Sequence, residues 1–253
     1  QRGMSFQPHT DDIIISPYAK CGTTWLQQIA HGLRTRGSMD FEEITCVTPW
    51  LEIAYDLAWD LDAPQVASPR VYKSHLSWNE IPKGGRYICA FRNPKDAFIS
   101  FYRFFENYFF EPDSISLEEL FQWRWPRDSL AEKGYWQHLR SWWEQRTNED
   151  VLLFCYEDMK ADLAGTIKRI AHFMGIDLDD DLFEIVLNQS SREFMLAHKE
   201  KFGELPLRQH AYKLGILPLE GEGHKITPGA SAKYQLSKEL ERALDKIWEE
   251  QIY

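Results

Sequence analysis

The chain has 253 residues, 43% of them hydrophobic and 14% aromatic, with ten tryptophans and a formal net charge of −10. That length suits one large α/β domain or two small ones, and the aromatic content excludes a disordered chain. The acidic balance disfavours nucleic acid as a partner, although a local basic pocket stays possible in an acidic protein.

Cys21, Cys46, Cys89 and Cys155 form no C-x-x-C pair. Neither a zinc site nor a disulfide framework is expected, and the thiols read as reduced. No apolar run reaches the ~18–20 residues that span a bilayer. The expectation is a cytoplasmic protein of a single domain, 1–253, with its core in 4–253 and Gln1–Gly3 a candidate expression scar.

Asp12–Ile15 is a short β-branched run that reads as a buried strand. Trp25, Leu26, Ile29 and Leu33 recur at helical spacing. Between them lies Lys20-Cys-Gly-Thr-Thr24. A strand that turns directly into a helix aims backbone N–H groups and the positive helix end at one point, which suits a phosphate or sulfate. Gly22 permits close approach, Thr23 and Thr24 add hydroxyls, and Lys20 adds a mobile charge. An ordinary strand-to-helix turn with an incidental lysine is the alternative. The order is not that of a Walker A loop, because Lys20 precedes Gly22.

Further along, Pro49–Asp62 mixes aromatic residues with Glu52, Asp56, Asp60 and Asp62. It reads either as a pocket wall or as an amphipathic helix with its acids in solvent. Val71–Ser74 is a second strand, and period two puts Lys73 and His75 on one side at its end. A histidine there can serve as a general base or simply bridge loop backbone.

Tyr87–Phe91 reads as a third strand, followed by Arg92-Asn-Pro-Lys-Asp96. Arg92 can fork onto a phosphate or pair with Asp96, Asp96 can cap the helix that carries Ser100, and Lys95 reads as solvated. Lys95–Asn107 and Tyr135–Arg146 read as helices and Val151–Cys155 as a strand. Asp162–Met174 is an amphipathic helix with Gly175 as its C-cap, and Ser237 opens the last helix. This alternation predicts a three-layer α/β fold, a mostly parallel sheet between helices, with ligands at the carboxyl ends of the strands.

Several of these pieces together resemble one family. The loop Tyr18-Ala-Lys-Cys-Gly-Thr-Thr-Trp25 is similar to the P-loop-like phosphosulfate loop of sulfotransferases that use 3′-phosphoadenosine 5′-phosphosulfate (PAPS). Arg70–Leu76 resembles their Lys-Thr-His segment, and Arg92–Asp96 with Ser100 resembles their 3′-phosphate element. Gly134–His138, Trp142-Trp143 and Cys155–Lys160 resemble later family segments.

The resemblance implies sulfuryl transfer from PAPS to a small-molecule acceptor, leaving 3′-phosphoadenosine 5′-phosphate (PAP), with no metal required. By similarity, Lys20 stabilises the leaving group, His75 is the base and Lys73 balances charge on the sulfuryl group. Cys21, Gly22, Thr23 and Thr24 form the 5′-phosphate loop. Trp25 stacks on adenine, and Tyr156 reaches it. Arg92 and Ser100 take the 3′-phosphate, with Ser100 also restraining Lys20. Ser190 and Arg192 belong to the nucleotide site, with Phe194 an alternative to Arg192.

Three departures stand out. Ala19 and Cys21 replace the usual Pro and Ser, and Cys21 reads as a small residue rather than a thiol of lowered pKa. The C-terminal Arg-Lys-Gly loop corresponds to Thr227-Pro-Gly229, which keeps Gly229 but lacks both cations, so His224, Lys225 or Lys233 would have to substitute.

The expected acceptor wall comprises Trp50, Glu52, Trp78, Phe105 and Tyr108, and its carboxylates favour an amine or guanidinium acceptor over a phenol. A monomer or homodimer is expected, with no membrane partner. A non-catalytic PAP/PAPS-binding protein and a P-loop small-molecule kinase are the competing readings.

Overall fold

The computed structural model describes residues 6–108, 113–125, 134–213, 215 and 234–252, save the side chains of Asn107, Tyr108, Arg124, Leu207, Arg208 and Ala211. Four strands form a parallel sheet: β1 (Ile13–Ile15), β2 (Val71–Lys73), β3 (Arg86–Phe91) and β4 (Val151–Cys155), in the order β2-β1-β3-β4. The helices in chain order are α1 (Thr23–Thr35), α2 (Ile44–Val47), α3 (Pro94–Tyr108), α4 (Leu117–Arg124), α5 (Tyr135–Trp143) and α6 (Tyr156–Ala161). Then follow α7 (Leu163–Met174), α8 (Asp180–Gln189), α9 (Arg192–Ala197), α10 (Leu205–Lys213) and α11 (Lys238–Ile252).

Side-chain alternation along the strands divides the core between two faces. Ile13, Ile15, Ile88 and Ala90 pack on Leu26 and Ile29 of α1, Ile167 and Ile170 of α7, and Leu182 and Val186 of α8. On the other face, Ile14, Tyr72, Tyr87 and Cys89 pack with Trp142 of α5. A neighbouring cluster joins Phe98 of α3, Phe121 of α4, Trp136 of α5 and Leu244 of α11. Helices on both sides of a parallel sheet make the expected three layers. The sheet also brings the ends of β1, β2 and β3 side by side, with Ile15 opposite both Lys73 and Ile88.

The element bounds follow the sequence closely. Asp162 accepts from the Gly165 N–H to open α7, and Gly175 closes it in the left-handed region at φ 68°. Ser237 Oγ accepts from the Leu240 N–H at the start of α11.

Three local expectations are corrected. Asp96 does not cap α3: Asn93 Oδ1 accepts from the Lys95 N–H at 2.9 Å, since Pro94 fills the first helical position and leaves the cap to the residue before it. Lys95 is not merely solvated but pairs with Asp245 of α11 at 2.8 Å. Pro49–Asp62 is not an amphipathic helix but an edge contact followed by turns. Lys73 N–H donates to Pro49 O and Leu51 N–H donates to Lys73 O, both at 2.9 Å. The segment therefore spends its backbone groups covering the outer edge of β2.

Candidate active site

The loop between β1 and α1 opens the helix through a tight, left-handed turn. Lys20 and Gly22 both lie at positive φ, 71° and 99°. Gly22 caps α1 without a side-chain hydrogen bond, and the first turn carries no acid. The first N–H groups of α1 are thus neither capped by the Gly22 position nor opposed by a carboxylate.

Space is tight: a Cβ on Gly22 would stand 3.0 Å from the Tyr156 ring. Arg92 braces the loop by donating from Nη1 to Lys20 O at 2.9 Å, with its guanidinium 4.6 Å from the Tyr156 ring centroid. Arg92 therefore ties to the loop backbone, and the alternative pairing with Asp96 is not the one found.

Trp25 leaves α1 at the same point. Its Nε1 donates to Ser190 O at 2.8 Å and its ring meets Tyr156 edge-on at 5.7 Å. Thr23 Oγ1, Arg92 Nε and Ser190 Oγ are buried without a hydrogen-bond partner among the described residues. Orphaned polar atoms of this kind are costly unless a ligand or water completes them. Together with the uncapped helix, they fit a phosphorylated nucleotide.

Cys21 is buried among aromatic residues that include Phe98 and Tyr135. Burial pushes its thiol up to about 12, overriding the lowering by Arg92 and Lys20. The shift runs opposite to that of an activated thiol, and Cys21 packs as a small buried residue.

The second half of the site lies beyond β2. His75 Nδ1 is 2.8 Å from Pro17 O. A carbonyl can only accept, so Nδ1 carries the proton and the neutral ring has its lone pair on Nε2. The His75 backbone N–H donates to Glu52 Oε1 at 2.6 Å. Burial raises the Glu52 carboxyl above its usual range, opposed by the His75 N–H and by Lys73.

Lys73 is fully buried, with Nζ 2.8 Å from Glu204 Oε1 and 3.7 Å from the Trp50 ring centroid. Trp50 also meets His75 edge-on at 5.2 Å.

Ser16 knots the two halves together. Its N–H donates to Ile88 O and its Oγ to Leu76 O, both at 2.9 Å. Its carbonyl accepts from His138 Nε2 of α5 at 3.0 Å. Burial first of all pushes His138 down to about 4, so the ring is neutral and donates. Trp142 Nε1 donates to Leu76 O at 3.2 Å, and the Trp78 N–H donates to Ser141 Oγ at 3.0 Å.

The structure thus gathers Lys20, Cys21, Gly22, Thr23, Thr24, Trp25, Arg92, Tyr156 and Ser190 around the first loop. It places Lys73, His75, Trp50 and Glu52 together at the end of β2. Ser100 is half-buried on α3, whose Phe104 ring lies 4.8 Å from Lys20 Nζ. Phe105 packs on Phe101 at 4.6 Å, and the Tyr108 side chain lies outside the described residues.

Trp78 packs against Tyr87 and Trp142 at 5.2 and 5.4 Å, within the core cluster beneath the site. Arg192 is exposed at the start of α9, and the Phe194 ring stacks on His198 at 4.1 Å. Gly229 and its candidate cations His224, Lys225 and Lys233 lie outside the described residues. Sequence reasoning missed the Pro17 carbonyl and Glu204. Neither carries a local signal, since one is backbone and the other a lone acid far along the chain.

Exposed His9 and Asp11 stand with buried Asp12 at the opposite end of β1, where Arg70 already binds the Asp12 carboxylate at 2.6 Å. No helix among the described residues is long and apolar enough to cross a membrane.

Comparison with known proteins gives the family. The chain is 27% identical to sulfotransferase 1E1 of Cavia porcellus, covering 98% of this chain and 85% of that protein. It is 32% identical to sulfotransferase 2A1 of Rattus norvegicus over 73% of this chain and 66% of that one. The fold matches a retinol dehydratase solved with androsterone and the inactive cofactor PAP, with a TM-score of 0.75, 17% identity, and coverage of 98% and 82%. The sulfotransferase domain family model matches residues 10–251. The chain belongs to the sulfotransferase-domain family and is a PAPS-dependent sulfotransferase.

Proposed function

We propose that this enzyme acts on a hydroxyl, or on an amine or guanidinium nitrogen, of a small-molecule acceptor in the cytoplasm, and that residues 4–253 form one catalytic domain. The observation that carries the mechanism is the hydrogen bond from His75 Nδ1 to Pro17 O. It fixes the tautomer in which Nε2 can take the acceptor's proton, and it ties the base to the phosphate loop. PAPS supplies an activated sulfuryl group, whose bond to the 5′-phosphate breaks as its bond to the acceptor forms.

The α1 amides with Thr23 and Thr24 hold the 5′-phosphate, and Lys20 balances the charge that grows on it as it leaves. Arg92 and Ser100 hold the 3′-phosphate. Trp25, Tyr156 and Ser190 frame the adenine.

For the acceptor, the segment after Trp50 and Glu52 carries an open cleft of about 800 Å³ lined by Tyr55, Asp56, Ala58, Trp59, Asp60 and His210, which we take as a candidate acceptor surface. Carboxylates beside aromatic faces favour a cationic group on the acceptor.

The test is calorimetric titration with PAP, with AMP and ATP as controls, followed by turnover of PAPS with phenols, alcohols and amines. Binding should need the 3′-phosphate, and Arg92→Ala should weaken it by ~1.5–3 kcal/mol, the scale of a charged hydrogen bond. Equal PAP affinity in Arg92→Ala and the parent would refute the Arg92 assignment.

A further inference from the structure

Lys73 has a backbone with no latitude. β1 lies on one side of it, and the Pro49–Leu51 edge bonds to it on the other. Its side chain, by contrast, has four rotatable bonds and a strongly hydrated head. Among the contacts that locate Nζ are the Trp50 face at 3.7 Å and the Glu204 carboxylate at 2.8 Å.

The Trp50 face attracts the cation but is broad. The carboxylate oxygen defines a point. Glu204 is itself 4% exposed and follows buried Phe202 and Gly203, just ahead of α10. Phe202 seats that turn in a cluster with Phe41, Ile44 and Met195. The acid is therefore presented by a packed turn rather than by a mobile side chain on the surface.

A buried ion pair of this kind is weak evidence for a stability role. Desolvating both charges offsets most of their attraction, so an apolar pair of similar volume is often as stable. Its specific consequence is geometric: one ammonium is held at one place two residues before His75.

We propose that Glu204 is a positioning residue for sulfuryl transfer, which acts through Lys73 by fixing where Nζ lies against the Trp50 face beside His75. The inference rests on the role assigned to Lys73 above. It also makes the turn before α10, 131 residues from Lys73 in the chain, part of the catalytic apparatus.

The test is a double-mutant cycle read by steady-state kinetics, with PAP calorimetry and thermal melting on every variant. Glu204→Gln should lower kcat by about 10- to 100-fold, the scale of a misplaced catalytic group, with PAP affinity and acceptor KM little changed. Glu204→Asp should recover part of the loss. In a Lys73→Met background, Glu204→Gln should cause no further loss of kcat, because its effect passes through the lysine.

Parental kcat in Glu204→Gln would overturn the proposal. So would an equal fold-loss in the Lys73→Met background, which would mark Glu204 as a fold element acting on its own. Melting guards against simple unfolding: a Glu204→Gln variant that melts with the parent yet has lost kcat supports the positioning role. Failure of the underlying reading looks different, since Lys73→Met alone would then turn over like the parent.

Discussion

The two halves of the site differ in how they are made. The loop proposed to hold phosphate, residues 16–25, is contiguous, and the groups it would offer a ligand are largely backbone amides at the start of α1. The base half is assembled from Trp50 and Glu52, Lys73 and His75, and Glu204, three separate segments joined by a 2.6 Å hydrogen bond and a 2.8 Å ion pair. Backbone recognition needs a local conformation, so one short stretch can encode it. Positioning flexible side chains needs partners that the chain can supply only after the sheet has formed. The first half should therefore govern nucleotide affinity, and the second should govern rate.

The sharpest test of that division is His75→Ala. Transfer should fall by roughly 10²–10⁴-fold, the range of a lost general base, with PAP affinity nearly unchanged. A matching fall in PAP affinity would mean that the two halves are one cooperative unit.

Acid should come next, because the base half hangs on His138 through Ser16. His138 and His31 are each lowered by burial from 6.5 to about 4, with Arg34 adding to the lowering at His31. The unfolded chain therefore takes up protons first as the pH drops. The stability these rings contribute is complete above pH 6.5 and is lost as pH falls toward about 4. The loss is on the order of 2–3 kcal/mol per histidine. Melting temperatures across that window should show it. His138→Gln, which keeps a donor but cannot charge, should flatten the curve, and an unchanged slope would show that the ring is not held neutral.

The smallest effect is expected at Gly22→Ala, which combines a φ of 99° with a Cβ 3.0 Å from Tyr156. Strain of that type costs ~1–3 kcal/mol, and it should appear in PAP affinity while kcat at saturation changes little. Wild-type PAP affinity in this variant would remove the loop's claim to close backbone contact.

Much of this protein was legible in advance for a physical reason. The strands at Ile13, Val71, Tyr87 and Val151, the helix closed by Gly175, and the turn at Gly22 from strand to helix are all written in local patterns of burial, capping and backbone freedom. The errors were also local. Asn93 outcompeted Asp96 as a cap because of Pro94, and Pro49–Asp62 resembled a helix in composition while its backbone served the edge of β2. Cys21, read as a small residue rather than an activated thiol, is buried with a thiol pushed up by that burial.

The sequence by itself determined the alternation of strand and helix, the glycine turn that opens the first long helix and the placing of Lys73 and His75 at a strand end, because each depends on residues within a few positions. Only the tertiary structure decided which tautomer His75 adopts, where Lys73 points and what Glu52 binds. Those outcomes depend on the Pro17 carbonyl, the Glu204 carboxylate and the His75 amide, brought within hydrogen-bond reach by a parallel sheet that joins distant parts of the chain.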